Sequence, residues 1–269
     1  MPEILQYGFM QRAMLAGLMI GVIAPLIGVF LVLRRLSLIA DTLSHVALAG
    51  VAAGILLNTY PVAGALVAAL VGAVGIERLR VSGRLFGEAV LAMALSGGFA
   101  VAVVLISLAN GFNVELFSYL FGAITVVQPR DLWVILILGL AVLGHVVLMY
   151  KELFAITFDE EGARVQGVAV DAINLLLTAL TAVTVVVVMR IVGILLTSGL
   201  LVIPALTALR LARSFRETLV LAAACSLVAV LVGMMASFYL DVAAGGAIVL
   251  VALLLFGAAS ALGPRIGGR

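Results

Sequence analysis

Two ionisable side chains, Asp41 and His45, sit inside SLIADTLSHVALAGVAAGILL (residues 37–57), a stretch otherwise apolar enough to cross a membrane. They are four residues apart, so a helix projects both from one face. A carboxylate at the centre of a bilayer costs about 2.5–3.5 kcal/mol, and such groups persist where they face a protein interior or a water-filled path. Ser37 lies one turn before Asp41, and the three form a polar stripe. An oxygen and a nitrogen ligand together suit zinc, manganese or iron. Two ligands fall short of the four of a closed zinc site, which suits a point of transit that an ion must leave again. Two other readings compete: an internal ion pair that only fixes helix packing, and a proton relay in a secondary transporter. A Ser-His-Asp hydrolase built from Ser44, His45 and Asp41 is disfavoured. Ser44 and His45 are adjacent and point about 100° apart on a helix.

The elements that must position this pair are read from composition and charge. Of 269 residues, 65% are hydrophobic and 10% charged, against about 25% charged in a soluble domain. The expectation is an all-α polytopic membrane protein, a single domain over residues 1–269. At about 20 apolar residues per span, nine spans are expected, near 12–33, 37–57, 61–77, 88–109, 132–150, 171–189, 191–211, 217–238 and 244–262. The short third span and the break at 189–192 make eight an alternative. Residues 110–131 read as either an outer loop or a partly embedded helix. With the N-terminus outside, twelve of the fifteen basic residues fall in inside loops, among them Arg34, Arg35, Arg84, Arg265 and Arg269. Arg12, Arg130 and Arg190 remain outside. The rule that basic loops stay cytoplasmic therefore places the C-terminus in the cytosol. The opening MPEILQYGFMQRAMLAG lacks the basic start and cleavage site of a signal peptide. It reads as mature sequence, with a short amphipathic helix leading into the first span.

Further features are weighed against plainer explanations. Gly17/Gly21 and Gly50/Gly54 are small-xxx-small steps that let helices approach closely, though 28 glycines also generate such spacings by chance. Pro204 in GLLVIPALTAL should kink the seventh span; kinked helices often line pathways, though many are only bent, and Ser37 and Pro204 are the candidate pathway or gating residues. The longest polar stretch, KELFAITFDEEGARVQGVAVD (151–171), predicts a short cytosolic helix near 160–166. Thr157/Glu160 or Asp159 would cap its start, and Gly167 would end it. It is either an ordinary loop helix or a docking element, and the aromatics Phe154 and Phe158 beside charges favour docking. Glu115, Asp131 and Asp241 read as solvated outer-loop charges rather than cation attractors. His145, near the cytosolic end of the fifth span, reads as a packing or interfacial histidine. Cys225 is the only cysteine, so no internal disulfide forms. No G-x-x-x-x-G-K-[ST] loop cradles ATP phosphates and no HExxH builds a zinc protease. No basic patch interleaved with aromatics suggests nucleic acid.

The chain resembles, nearly end to end, the integral-membrane permease subunit of ATP-binding-cassette (ABC) importers for zinc, manganese and iron. LRRLSLIADTLSH, FDEEGARVQG, VGILLTSGLLVIPALTALRLA and IVLVALLLF carry the resemblance, in that order. It implies a type II ABC importer-like permease, working as a homodimer with two cytosolic ATPase subunits beneath it. An extracytoplasmic metal-binding protein would deliver the ion. It places Asp41 and His45 on the family's metal-contacting acid and histidine. Residues 158–167, with Phe158, Asp159, Glu160, Ala163 and Gly167, fall on the ATPase-docking helix. It implies no permanently bound cofactor, zinc or manganese as cargo with iron as a third candidate, and a multi-pass inner-membrane location. The family's usual proline before the glycine is missing from DVAAGGAIVL, and no His-rich outer loop is present to point to zinc.

Overall fold

The computed structural model describes residues 7–82, 86–109, 114–123, 125 and 127–262. The side chains of 114, 115 and 262 are not among those described. Arg84, Arg265, Arg269, the Glu115 side chain and residues 1–6 of the stretch expected to open with a short amphipathic helix therefore lie outside the described residues. The elements are α1 (Gly8–Leu33), α2 (Leu38–Leu56), α3 (Pro61–Val81), α4 (Gly87–Leu108), α5 (Val114–Phe121) and α6 (Pro129–Leu148). They continue with α7 (Tyr150–Phe158), α8 (Glu160–Val165), α9 (Val170–Val192), a 3₁₀ turn (Ile194–Leu196), α10 (Thr197–Leu211), α11 (Phe215–Leu240) and α12 (Ala244–Leu262). Among the described residues nine helical segments are long and apolar enough to span a bilayer.

Their boundaries follow local chemistry. Pro61 and Pro129 stand at helix starts, where a missing N–H costs nothing. The fifth span begins at Pro129, three residues before the expected 132. Gln128 and Asp131 close a capping box there, and Gln128 N donates to Asp131 Oδ2 at 2.9 Å. The third span runs to Val81 rather than 77, because Arg78 and Arg80 suit the negative end of a helix. Residues 110–131 resolve in part into the eight-residue α5, which packs on α9 with Leu116 and Tyr119 buried.

α1, α2 and α9 form the centre; α4 and α6 show most of their surface. α2 packs between α3 and α4 and also touches α9 and α10. Both glycine steps are packing devices. A methyl group on Gly50 would collide with the carbonyl oxygen of Gly64, and one on Gly64 with that of Gly50. The backbones of α2 and α3 thus touch directly, and Gly54 meets Pro61 in the same seam. Gly17 and Gly21 receive Val230, Met234 and Leu227 of α11. The turn between α9 and α10 uses Gly193 at φ +86°, a conformation that a residue with a Cβ reaches only with strain.

Candidate functional site

α2 carries the polar stripe inward. Asp41 stands in its first turn and His45 one turn on, both half-buried. They do not form an ion pair with each other; the ion pairs among the described residues involve other side chains. Asp41 Oδ1 accepts a long hydrogen bond from Ser198 Oγ at 3.5 Å, on the first turn of α10. His45 meets the edge of Phe99 on α4, with ring centroids 5.3 Å apart and planes at 89°. Its Nδ1 is buried without a hydrogen-bond partner. Buried polar atoms are nearly always satisfied, so an orphan needs a reason, such as an absent ion or water. Here a loosely held carboxylate and an unsatisfied imidazole lie one turn apart. A carboxylate oxygen and an imidazole nitrogen are ligand types that zinc, manganese and iron share. Among the described residues no three His, Cys, Asp or Glu side chains gather into a metal-sized cluster, so within those residues the pair has no third such ligand.

The neighbouring candidates fall into place around α2. Ser37 is the residue before α2 and makes no side-chain cap bond. Ser44 is fully buried and donates to the Ala40 carbonyl oxygen, which removes it as a nucleophile. Pro204 is buried inside α10, on the helix whose first turn offers Ser198 to Asp41. His145 is exposed on α6, with Nδ1 2.8 Å from the Ala141 carbonyl oxygen.

α8 forms at Glu160–Val165. Asp159, not Thr157, is its cap: Asp159 Oδ1 accepts from Gly162 N at 2.8 Å, while Thr157 Oγ1 donates to the Leu153 carbonyl oxygen. Gly167 follows at φ +85° and ends the turn. Ala163 seats the helix on the bundle, 2% exposed, and Val165 stands out at 88%. Phe158 is exposed yet shares an aromatic cluster with Phe154 and Phe215, at 4.7 and 5.1 Å from Phe154 to Phe158 and Phe215. Glu160 is exposed but pairs back to the bundle. Arg34, just past α1, donates to Glu160 Oε2 at 2.8 Å and to Asn174 Oδ1 of α9 at 2.7 Å. Burial pulls the Arg34 guanidinium below its ordinary range, against the lift from Glu160. Arg164 and Asp171 make a second, solvent-exposed pair.

Sequence reasoning missed three polar positions. Glu77 is buried in α3, bonded to Arg80 at 3.1 Å and Thr178 at 3.3 Å, with Oε1 unsatisfied. Ser198 gave no signal beyond being polar in an apolar span, and the same holds for Asn174. Asp131 is a correction. It is no solvated loop charge but is 2% exposed, ion-paired with Arg190 and bonded by Tyr60 Oη at 2.6 Å. Arg130 lies 4.1 Å over the Tyr60 ring. Burial first, and then Asp131, raises the Tyr60 phenol above its usual range. Asp241 is exposed, at a left-handed turn ending α11.

Among the described residues, nine apolar segments of bilayer length form a helical bundle that carries a loosely held acid–histidine pair and a short capped helix. Residues 6–263 match the family described as the ABC 3 transport family, and the chain belongs to it. It is 39% identical over 252 residues to a probable metal transport system membrane protein of Treponema pallidum, covering 93% of this chain and 94% of that one. It is 33% identical over 265 residues to the manganese transport system membrane protein MntC of Halalkalibacterium halodurans, covering 98% and 91%. Among solved structures it resembles PsaBC from Streptococcus pneumoniae, in complex with Fab, with a TM-score of 0.88 at 30% identity over 97% of this chain and 94% of that one.

Proposed function

We propose that this chain is the permease subunit of an importer that carries a divalent transition metal, zinc or manganese with iron as the third candidate, into the cell. The observation that carries the reading is the buried, partnerless Nδ1 of His45 one turn from the loosely held carboxylate of Asp41. A permanent structural pair would be satisfied; a resting place for a passing cation is satisfied only while the cation is there. One copy supplies two ligands, so two copies facing one pathway supply up to four, near the number zinc prefers. Ser198 steadies Asp41 without competing strongly for it.

ATP hydrolysis belongs to two copies of a separate cytosolic subunit, which docks on α8. Phe158, Asp159 and Val165 present the contact surface, while Glu160 and Ala163 hold the helix to the bundle and Gly167 ends it. An extracytoplasmic binding protein delivers the metal, the N-terminus lies outside and the C-terminus in the cytosol. The membrane is the inner, cytoplasmic one.

The test is uptake of radiolabelled zinc and manganese into proteoliposomes holding the chain with its ATPase partner. Asp41→Ala and His45→Ala should abolish uptake while the complex still assembles and binds ATP. Normal uptake in both variants overturns the reading. Uptake that follows a proton gradient with ATP held constant replaces it with a proton-coupled mechanism.

A further inference from the structure

A recess of about 510 Å3 opens where α6 ends and α7 and α11 begin, lined by Val147, Leu148, Tyr150, Lys151, Glu152 and Arg216. Its chemistry divides along the helix axis. Val147 and Leu148, both in the last turn of a membrane span, are 65% and 82% exposed. Nothing polar belongs beside them, so acyl chains are their natural cover. From Tyr150, two residues further, the lining turns polar. Tyr150 stands at the boundary and packs on Phe154 and Phe215, with ring centroids 6.3 and 5.8 Å away. A half-buried tyrosine there is a typical interface anchor. Lys151 and Arg216 are exposed, and among the described residues neither enters an ion pair.

Glu152 adds the detail that selects the occupant. It lines the same recess, and its Oε2 is buried without a hydrogen-bond partner. Two unpaired cations and a carboxylate oxygen lacking a donor in one cavity ask for a ligand with both an anion and a donor. Basic pockets beside membrane helices take up phospholipid headgroups. We propose that this recess binds one glycerophospholipid whose headgroup carries a hydrogen-bond donor, that is, an ethanolamine or glycerol phosphodiester. The phosphate lies between Lys151 and Arg216, the terminal ammonium or hydroxyl donates to Glu152, and the acyl chains run over Val147 and Leu148. A choline headgroup offers no N–H or O–H and leaves Glu152 unsatisfied. The site is independent of Asp41 and His45 and stands whether or not the chain moves metal.

Native mass spectrometry of the full chain released from nanodiscs tests it, with phosphatidylethanolamine, phosphatidylglycerol and phosphatidylcholine supplied in equal amounts. The ethanolamine and glycerol lipids should be retained several-fold over the choline lipid. Glu152→Ala should erase that preference and leave total retention nearly intact. Lys151→Gln and Arg216→Gln should each lower retention of all three, roughly fivefold per cation removed; both residues are exposed, so the fold survives. Equal retention of the choline lipid overturns the proposal. So does retention unchanged in the Lys151→Gln/Arg216→Gln double variant, or displacement of all bound lipid by inorganic phosphate alone. Loss of ATPase co-purification in that double variant, with lipid retention unchanged, assigns the surface to the protein partner instead.

Discussion

Arg34 donates to Glu160 Oε2 across 2.8 Å, and so ties the end of α1 to α8, 126 residues further along the chain. The same guanidinium holds Asn174 of α9, so three elements meet at one cation that is 6% exposed. α8 has only six residues and cannot persist as an isolated helix. Its position depends on this clamp and on Ala163.

Glu160→Ala should therefore free α8 without unfolding the bundle. A hydrogen bond to a charged group contributes about 1.5–3 kcal/mol, and the exposure of Glu160 places this one at the low end. Hydrogen exchange over residues 159–167 should accelerate, and, if α8 docks an ATPase as proposed, co-purification of that partner should fall. Protection unchanged from wild type would show that Ala163 alone seats the helix.

The Asp131–Arg190 pair is buried, so removing one partner strands the other. Asp131→Leu should lower stability by about 3–5 kcal/mol. The Asp131→Leu/Arg190→Met double variant should recover much of that loss, since no charge is left unpaired. Thermal unfolding of the four-member set reads the coupling. Additive losses would refute a direct pairing.

Gly50→Val should separate α2 from α3, because the added carbons meet the Gly64 backbone, which has no flexible side chain to move. Overpacking of this kind costs about 1–3 kcal/mol. Gly75→Ala, in the same α3 but with open space around it, should instead gain about 0.5–1 kcal/mol of helix preference. A lowered melting temperature for the first and a raised one for the second check both signs.

Ser198→Ala removes only a 3.5 Å contact to Asp41. Metal uptake should keep its maximal rate, with the half-saturating concentration shifted less than about tenfold, equivalent to about 1.4 kcal/mol. Complete loss of uptake would make Ser198 a ligand rather than a neighbour.

The spans were legible because apolar runs of bilayer length leave few alternatives, and all nine expected segments match helices within a few residues. Asp41 and His45 stood out for the same reason: charge is conspicuous against hydrocarbon. Asp131 was misread because a charge near a span end looks the same whether it faces water or an arginine 59 residues away. Ser198 and Asn174 passed unnoticed, since a single hydroxyl or amide in a span carries no periodic signal.

By itself the sequence determined the membrane class, the order of the helices and the stripe Ser37–Asp41–His45, because these depend on local composition and helical spacing. Only the tertiary structure decided that Ser198 faces Asp41, that His45 Nδ1 has no partner, that Glu160 clamps to Arg34 and that Arg190 neutralises Asp131. Those are contacts between helices distant in sequence, and the packing of the backbone, through seams such as Gly50–Gly64, sets which side chains can reach each other.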